Sequence, residues 1–185
     1  MFNLNLISYN VRGIRNHKKR ANIFHWLNSK NCNVCFLQEV HVCQKDIKIW
    51  EKEYDGTFYY SSGSNNSKGV VIGISNKLLD HVKMVKEIYA DGDGRILGLA
   101  LSLDEINYNL WNIYAPNDEY DRKLFFDNLN TIISTTCSTD GHTILGGDFN
   151  TVMNPKLDKI GENVHNPMCA NTIKMILDEH ELVDI

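Results

Sequence analysis

Four consecutive residues, Val34-Cys35-Phe36-Leu37, carry no polar side chain. The run is too short for a buried helix, and an extended chain sends alternate side chains to opposite faces. Both faces of such a strand must be covered, which demands a layered fold with protein on each side of a sheet. A second, shorter stretch, Thr143-Ile144-Leu145, reads as a buried strand over 142–146 that ends in Gly146-Gly147-Asp148. Stretches of helical spacing lie around these runs. From His17 to Lys30 the apolar residues Ala21, Ile23, Phe24 and Leu27 share one side with Trp26 flanking, and Asn31 follows as a C-terminal cap. Asp121 to Thr135 gathers Leu124, Phe125, Leu129, Ile132 and Ile133, and Ala170 to His180 gathers Ile173, Ile176 and Leu177. Gln44 to Tyr54 reads as a shorter amphipathic helix through Ile47, Trp50 and Tyr54.

The remaining β-prone segments are Asn3–Asn10, Thr57–Tyr60, Gly69–Ile74, Val82–Tyr89, Arg95–Leu103 and Tyr108–Tyr114. The Ser/Gly/Asn cluster Ser61 to Ser67 is a hairpin-like loop, too short for an interdomain linker. Asp91-Gly92-Asp93-Gly94 and Asp104-Glu105 are turn chemistry. The Asp-Gly-Asp-Gly run lacks the downstream carboxylates of a twelve-residue calcium loop, so a hairpin turn is expected there. With 43% hydrophobic residues, 3 Pro and 12 Gly, the chain is neither a disordered tail nor a collagen-like repeat. No repeat or boundary divides it, and 185 residues suffice to bury about 70% of the unfolded surface. One α/β domain is therefore expected. No run reaches membrane-span length and no signal sequence opens the chain, so the expectation is intracellular, with no membrane partner.

Five cysteines, an odd number, argue against a disulfide framework. Cys32-x-x-Cys35 followed by His41 and Cys43 raises zinc, but Cys35 lies within the buried strand and no second CxxC exists. A zinc site would need ligands from a strand, its entry turn and its exit loop to converge on one tetrahedral point. Core packing is the expected role of Cys32 and Cys35.

Charge is unevenly spread. Residues 1–38 hold six bases (Arg12, Arg15, Lys18, Lys19, Arg20, Lys30) and no acid, so the formal −4 of the whole leaves −10 on the remainder. A basic edge beside an acidic body permits phosphate and cation binding side by side, and permits nucleic acid without requiring it.

Polar residues recur where the apolar strands end: Asn10, Gln38-Glu39, Tyr114-Ala115-Pro116-Asn117 and Gly147-Asp148-Phe149-Asn150. Loops leaving strand ends are where sites are assembled on a rigid platform. Each residue alone also has an ordinary explanation as a turn, a cap or a half-buried aromatic.

Taken in order, Tyr9-Asn10-Val11-Arg12-Gly13, Phe36-Leu37-Gln38-Glu39, Ser67-Lys68-Gly69-Val70, Ile113-Tyr114-Ala115-Pro116-Asn117 and Gly146-Gly147-Asp148-Phe149-Asn150 resemble the pattern of the endonuclease/exonuclease/phosphatase superfamily. Within it the chain looks most similar to the apurinic/apyrimidinic-type endonuclease domains of non-LTR retrotransposons, whose form the ending Glu181-Leu182-Val183-Asp184-Ile185 also resembles.

The resemblance implies an α/β four-layer sandwich of two face-to-face mixed β-sheets with outer helices. Residues 1–185 would form a single partial domain whose final strands are missing. It implies a Mg²⁺- or Mn²⁺-dependent enzyme that nicks target DNA by phosphodiester hydrolysis, acting in the nucleus. Under it Glu39 is the metal ligand, a hard oxygen donor of the kind Mg²⁺ takes few of. Asp148 positions and helps deprotonate the attacking water, while Asn150 bonds the phosphate or steadies Asp148. Asn10 orients a carboxylate, and Tyr114 and Asn117 donate to the scissile phosphate. Asp148 and Asn150, one residue apart, are expected on the same side of an extended segment.

Two departures stand out. Arg12 replaces an acid common in repair endonucleases and is expected to contact phosphate instead. The family's later Asp and Ser-Asp-His are absent, and neither His165 nor His180 fits that place; His180 is expected as a cation in the last turn of its helix. Residues 1–185 alone are therefore expected to be inactive. The alternatives are a non-catalytic relic on the same fold and a phosphatase acting on a small phosphorylated molecule or lipid. Nicking of plasmid DNA separates the first reading from both.

Overall fold

Leu6–Asn10 (β1) and Val34–Gln38 (β2) lie side by side and parallel, and His17–Ser29 (α1) makes the crossover that parallel strands require. The structure, a computed structural model, describes residues 3–41, 44–63, 67–137, 141–153 and 168–184. Gln44–Trp50 (α2) follows β2, then Gly56–Ser61 (β3) and Val70–Ser75 (β4), which pair antiparallel. The first sheet has the order β1-β2-β4-β3. Asn76–Leu79 (α3), a short turn capped by the Ser75 hydroxyl, leads to Val82–Ala90 (β5), Ile96–Leu103 (β6) and Ile106–Tyr114 (β7). Glu119–Thr136 (α4) precedes Gly141–Asp148 (β8), which pairs parallel with β7 and completes a second sheet of order β5-β6-β7-β8. Ala170–Glu179 (α5) is the last helix described. The protein is an α/β sandwich of two mixed four-stranded sheets with helices. Among the described residues no helix is long and apolar enough to cross a membrane.

The described residues group into two compact units, one drawn from Met1–Tyr114 and Ser138–Asp148, the other from Ala115–Cys137 and Phe149–Ile185. Both sheets belong to the first. All five residues of β2 are buried, as its sequence demands. Val34 and Phe36 join Val70, Ile72 and Ile74 against Leu97, Leu99, Leu101, Leu103 and Leu110 of the facing sheet. Cys35 and Leu37 point the other way, into a core with Phe24 and Leu27 of α1 and Ile47 and Trp50 of α2. Cys32 and Cys35 are thus core residues, and burial pushes their thiols up to about 11 and about 12. Of the other two members of the zinc alternative, His41 has its ring beside Gly13 and Cys43 lies outside the described residues.

Polar groups tie the layers together. Gln38 Nε2 donates to Asn112 Oδ1 at 2.7 Å across the two sheets, and Asn112 Nδ2 reaches the carbonyls of Leu37 and Val71. Asn112 is fully buried and Gln38 nearly so, and an inter-sheet amide pair satisfies groups that burial would otherwise penalise. Arg20 departs from the expected basic edge. It is 5% exposed, donates to both Glu53 carboxylate oxygens at 2.6 and 2.8 Å and to the carbonyls of Ile14 and Arg15, and stacks on Trp50. A helix that leans its first turns on the core buries whichever side chain faces inward, and here that is an arginine held by an acid.

Caps explain the shifted element ends. Asn16 caps α1 by accepting from Lys19 N–H, and Asn31, just past the helix, takes φ +52°. The Asp118 carboxylate accepts from the amides of Tyr120 and Asp121, so α4 begins two residues before the expected Asp121. β8 runs through Gly146 and Gly147 to Asp148, and as the edge of its sheet it is half-buried with His142 exposed, not the buried strand expected over 142–146. A Cβ at Gly147 would stand 2.0 Å from the Ile113 carbonyl, so glycine here permits close pairing with β7 rather than ending the strand.

In the second unit, Phe126 of α4 stacks on Phe149 with ring centroids 5.8 Å apart. Thr172 of α5 donates to Asp127, and Asn130 donates to Glu179 at 2.6 Å. His180, immediately after α5, brings Nε2 to 3.0 Å from the Asn130 amide oxygen.

Candidate active site

The first unit gathers three of the polar strand ends at one place. Asn10 closes β1, Glu39 follows β2 and Asp148 closes β8. The Asn10 amide nitrogen donates to Glu39 Oε1 at 2.9 Å and to Asp148 Oδ2 at 2.7 Å. One NH2 group has two hydrogens, and here each serves a different carboxylate. Asn10 Oδ1 accepts from the Arg12 amide at 3.1 Å, which fixes the direction in which the NH2 points. Two carboxylates that would repel one another are thus held together through a shared neutral donor.

Glu39 sits in the left-handed region at φ +53°, a conformation costing a non-glycine residue about 1 kcal/mol or more. Its neighbours enforce it. Gly13 N–H donates to the Glu39 carbonyl at 2.6 Å, Val40 N–H to Gly69, and His41 N–H to Lys68. Gly13 is itself required there, since a Cβ at φ +77° would stand 2.9 Å from the His41 ring. Arg12, also left-handed at φ +47°, is exposed and offers its carbonyl to Lys19 Nζ.

Tyr114 faces Asp148 in the β7–β8 register. It is 9% exposed. Burial, then the hydrogen bond and charge of Glu39, push the phenol up to about 12, so it is a neutral donor at physiological pH. Arg95 lies over the Tyr114 ring, with Cζ 5.2 Å from the centroid, and its charge opposes that rise. Its side chain was not among the sequence candidates; the only signal was its place directly after the Asp-Gly-Asp-Gly turn. That turn is a hairpin connection, as expected. Asp91 accepts from the amides of Asp93, Gly94 and Arg95 and from Ser61 Oγ.

Asn117 and Asn150 belong to the second unit. Asn150 has φ +48°, so residues 148–150 are not the extended segment on which a shared side for Asp148 and Asn150 was expected. Its Nδ2 donates to the Ala115 carbonyl at 2.7 Å. The next two carbonyls, Pro116 and Asn117, accept from Arg122 Nη1 at 3.2 and 2.8 Å, so the Ala115–Asn117 loop is fixed at each successive carbonyl.

Among the described residues no group of three or more His, Cys, Asp or Glu side chains converges on one point. Glu39 is nonetheless a fitting oxygen donor for a hard divalent cation, with Asp148 beside it across the shared Asn10 amide. Mg²⁺ takes few carboxylates and keeps several waters.

The family model described as Endonuclease/Exonuclease/phosphatase family matches residues 7–157. A transposon TX1 uncharacterized 149 kDa protein of Xenopus laevis is 29% identical over 182 residues, 98% of this chain, and the chain spans 14% of that relative's length. Among solved structures, the AP endonuclease LMAP from Leishmania major superposes with a TM-score of 0.73 at 17% identity, over 96% of this chain and 65% of that one. An AP endonuclease from Archaeoglobus fulgidus gives 0.69 at 18% identity, over 95% and 70%. D. rerio TDP2 complexed with single strand DNA product gives 0.59 at 20% identity, over 80% and 61%. The fold is shared with all three, and the family match spans the segments carrying Asn10, Glu39, Tyr114 and Asp148: the chain belongs to the endonuclease/exonuclease/phosphatase family of phosphoester-cleaving enzymes.

Proposed function

We propose that the protein is a Mg²⁺- or Mn²⁺-dependent endonuclease of transposon type that nicks nuclear DNA by phosphodiester hydrolysis. The observation that carries this reading is the Asn10 amide shared between Glu39 and Asp148. The transposon relative and the AP endonuclease neighbours support DNA as the substrate.

Glu39 would hold the metal, whose chemistry there is neutralisation of charge on the phosphoryl and leaving oxygens. Asp148 orients the attacking water and accepts its proton. Asn10 keeps the two carboxylates in fixed relation, so neither swings to meet the substrate. Tyr114, kept neutral, donates its hydroxyl proton in a hydrogen bond and so helps hold negative charge at the site. Arg12 is exposed beside Asn10 and contacts substrate phosphate. The phosphate-binding roles of Asn117 and Asn150 rest on the sequence pattern, and in Asn150 the amide nitrogen also holds the Ala115 carbonyl.

Incubation of the full-length protein with supercoiled plasmid tests the proposal. Open-circular product that requires Mg²⁺ or Mn²⁺ and is stopped by a chelator is the expected result. Release of phosphate from inositol phosphates with no nicking would overturn it in favour of a small-molecule phosphatase.

A further inference from the structure

We propose that Arg95 is a positioning residue for Tyr114, holding its backbone and ring in the place from which the hydroxyl serves the site. This rests on the proposed reading of Tyr114 as a hydrogen-bond donor in the site.

The two residues are joined in three ways. Tyr114 N–H donates to the Arg95 carbonyl at 2.8 Å, Arg95 Nη1 donates to the Tyr114 carbonyl at 2.9 Å, and the guanidinium lies over the phenol ring. A planar guanidinium can donate from its edge while its face covers an aromatic ring; a lysine ammonium cannot do both. Backbone and ring of Tyr114 are therefore fixed by one side chain.

Arg95 is in turn held from behind. Both carboxylate oxygens of Asp91 accept from its backbone N–H, at 3.2 and 3.1 Å, and Ser61 Oγ donates to the same carboxylate at 2.6 Å. Gly94 precedes it at φ +72°, where a Cβ would fall 2.4 Å from Gly63 N and 2.6 Å from Gly69 N. Gly69 N–H also donates to the Gly94 carbonyl, and the Gly69 carbonyl accepts from Val40, the residue after Glu39. The loop carrying Arg95 and the loop carrying Glu39 are thus tied to the same glycine. Tyr114 and Glu39 keep their relative place because the supports of both are anchored to one another.

Nicking kinetics of the full-length protein test this with Arg95→Ala, Arg95→Lys, Tyr114→Phe and the double variant Arg95→Ala/Tyr114→Phe. Misplacing a catalytic group by about 1 Å costs about a hundredfold. Arg95→Ala should lower kcat by roughly that factor with KM little changed, and Arg95→Lys should recover part of it. Adding Arg95→Ala to Tyr114→Phe should cost little more. Losses that multiply in the double variant, or an effect on KM with the salt dependence of DNA binding reduced by about one ion, would make Arg95 a phosphate contact and overturn the proposal. The ¹³Cζ resonance of Tyr114 gives a readout that does not need turnover. It should move in Arg95→Ala and return partway in Arg95→Lys, and an unmoved resonance contradicts the proposal. Absence of nicking by the wild type, with the resonance moving as expected, would sink the proposed function and leave the positioning role intact.

Discussion

Asn10 and Asp148 stand 138 positions apart in the chain, yet the amide nitrogen of one lies 2.7 Å from a carboxylate oxygen of the other. The contact joins the edge strand of one sheet to the edge strand of the other at the same end of the sandwich. Because the Asn10 NH2 also serves Glu39, it determines how the two acids face one another.

Asn10→Ala should therefore lower the nicking rate by about a hundredfold, the scale for losing one preorganised donor. Asn10→Asp should be worse. It keeps the shape but sets a third carboxylate between two others, with no hydrogen to offer. Rates measured beside melting temperatures check this, since a donor role predicts a rate loss larger than any stability loss.

Arg20 holds the start of α1 to Glu53, and its hydrogen bond keeps the Glu53 carboxyl below the usual carboxylate range. Glu53 is lower in the folded than in the unfolded protein. The stability it contributes is present above its ordinary value near 4.5 and is lost as pH falls through the depressed folded value. Thermal unfolding followed from neutral pH down to about pH 3 should show a shallower acid decline in Glu53→Gln than in wild type. Arg20→Met should destabilise, because it removes the bidentate partner of Glu53 and leaves only the exposed His17 ring, 3.6 Å away, beside that carboxylate. Tests of DNA binding by the basic edge belong on Lys18 and Lys19, which are exposed, and not on Arg20.

Asn112→Leu should destabilise by about 3 kcal/mol, since the carbonyls of Leu37 and Val71 each lose a donor and Gln38 loses an acceptor. Chemical denaturation measures this directly. A loss under about 1 kcal/mol would mean that water or a rotated Gln38 replaces the amide.

The layered architecture was legible because its signal is local. Val34 to Leu37 must be covered on both faces wherever it sits, and α1, β4, β6 and the α4 periodicity each announce themselves within a dozen residues. Asn10, Glu39, Tyr114 and Asp148 could be marked as strand-end polar groups for the same reason. Their mutual distances could not, because β1 and β2 meet through pairing across a crossover helix, and β8 meets them only through the packing of one sheet on the other. Arg20 read as surface charge, since sequence does not show that Glu53 waits across the core. Gln38 read as part of a site motif, although its partner is Asn112 on the facing sheet. Asn150 followed an apparent strand, and only the backbone reveals the left-handed turn that aims its amide at Ala115.

Gly94→Ala should disturb the site from a distance. A left-handed φ and a Cβ against two backbone nitrogens together cost at least about 1 kcal/mol and displace the turn that carries Arg95. The expected outcome is a lowered melting temperature with a drop in kcat larger than that of Gly92→Ala. Gly92 shares the turn and a positive φ but has nothing within 4 Å of its would-be Cβ.

The most direct measurement is single-turnover nicking of supercoiled plasmid by the full-length protein, comparing wild type with Glu39→Ala and Asp148→Asn at saturating Mg²⁺, with DNA affinity measured in parallel. If these carboxylates are the reaction centre, both variants bind DNA about as well as wild type and cut it at least about a hundredfold more slowly. Nicking at the wild-type rate by Asp148→Asn, with DNA binding intact, would show that the chemistry happens elsewhere and contradict the account.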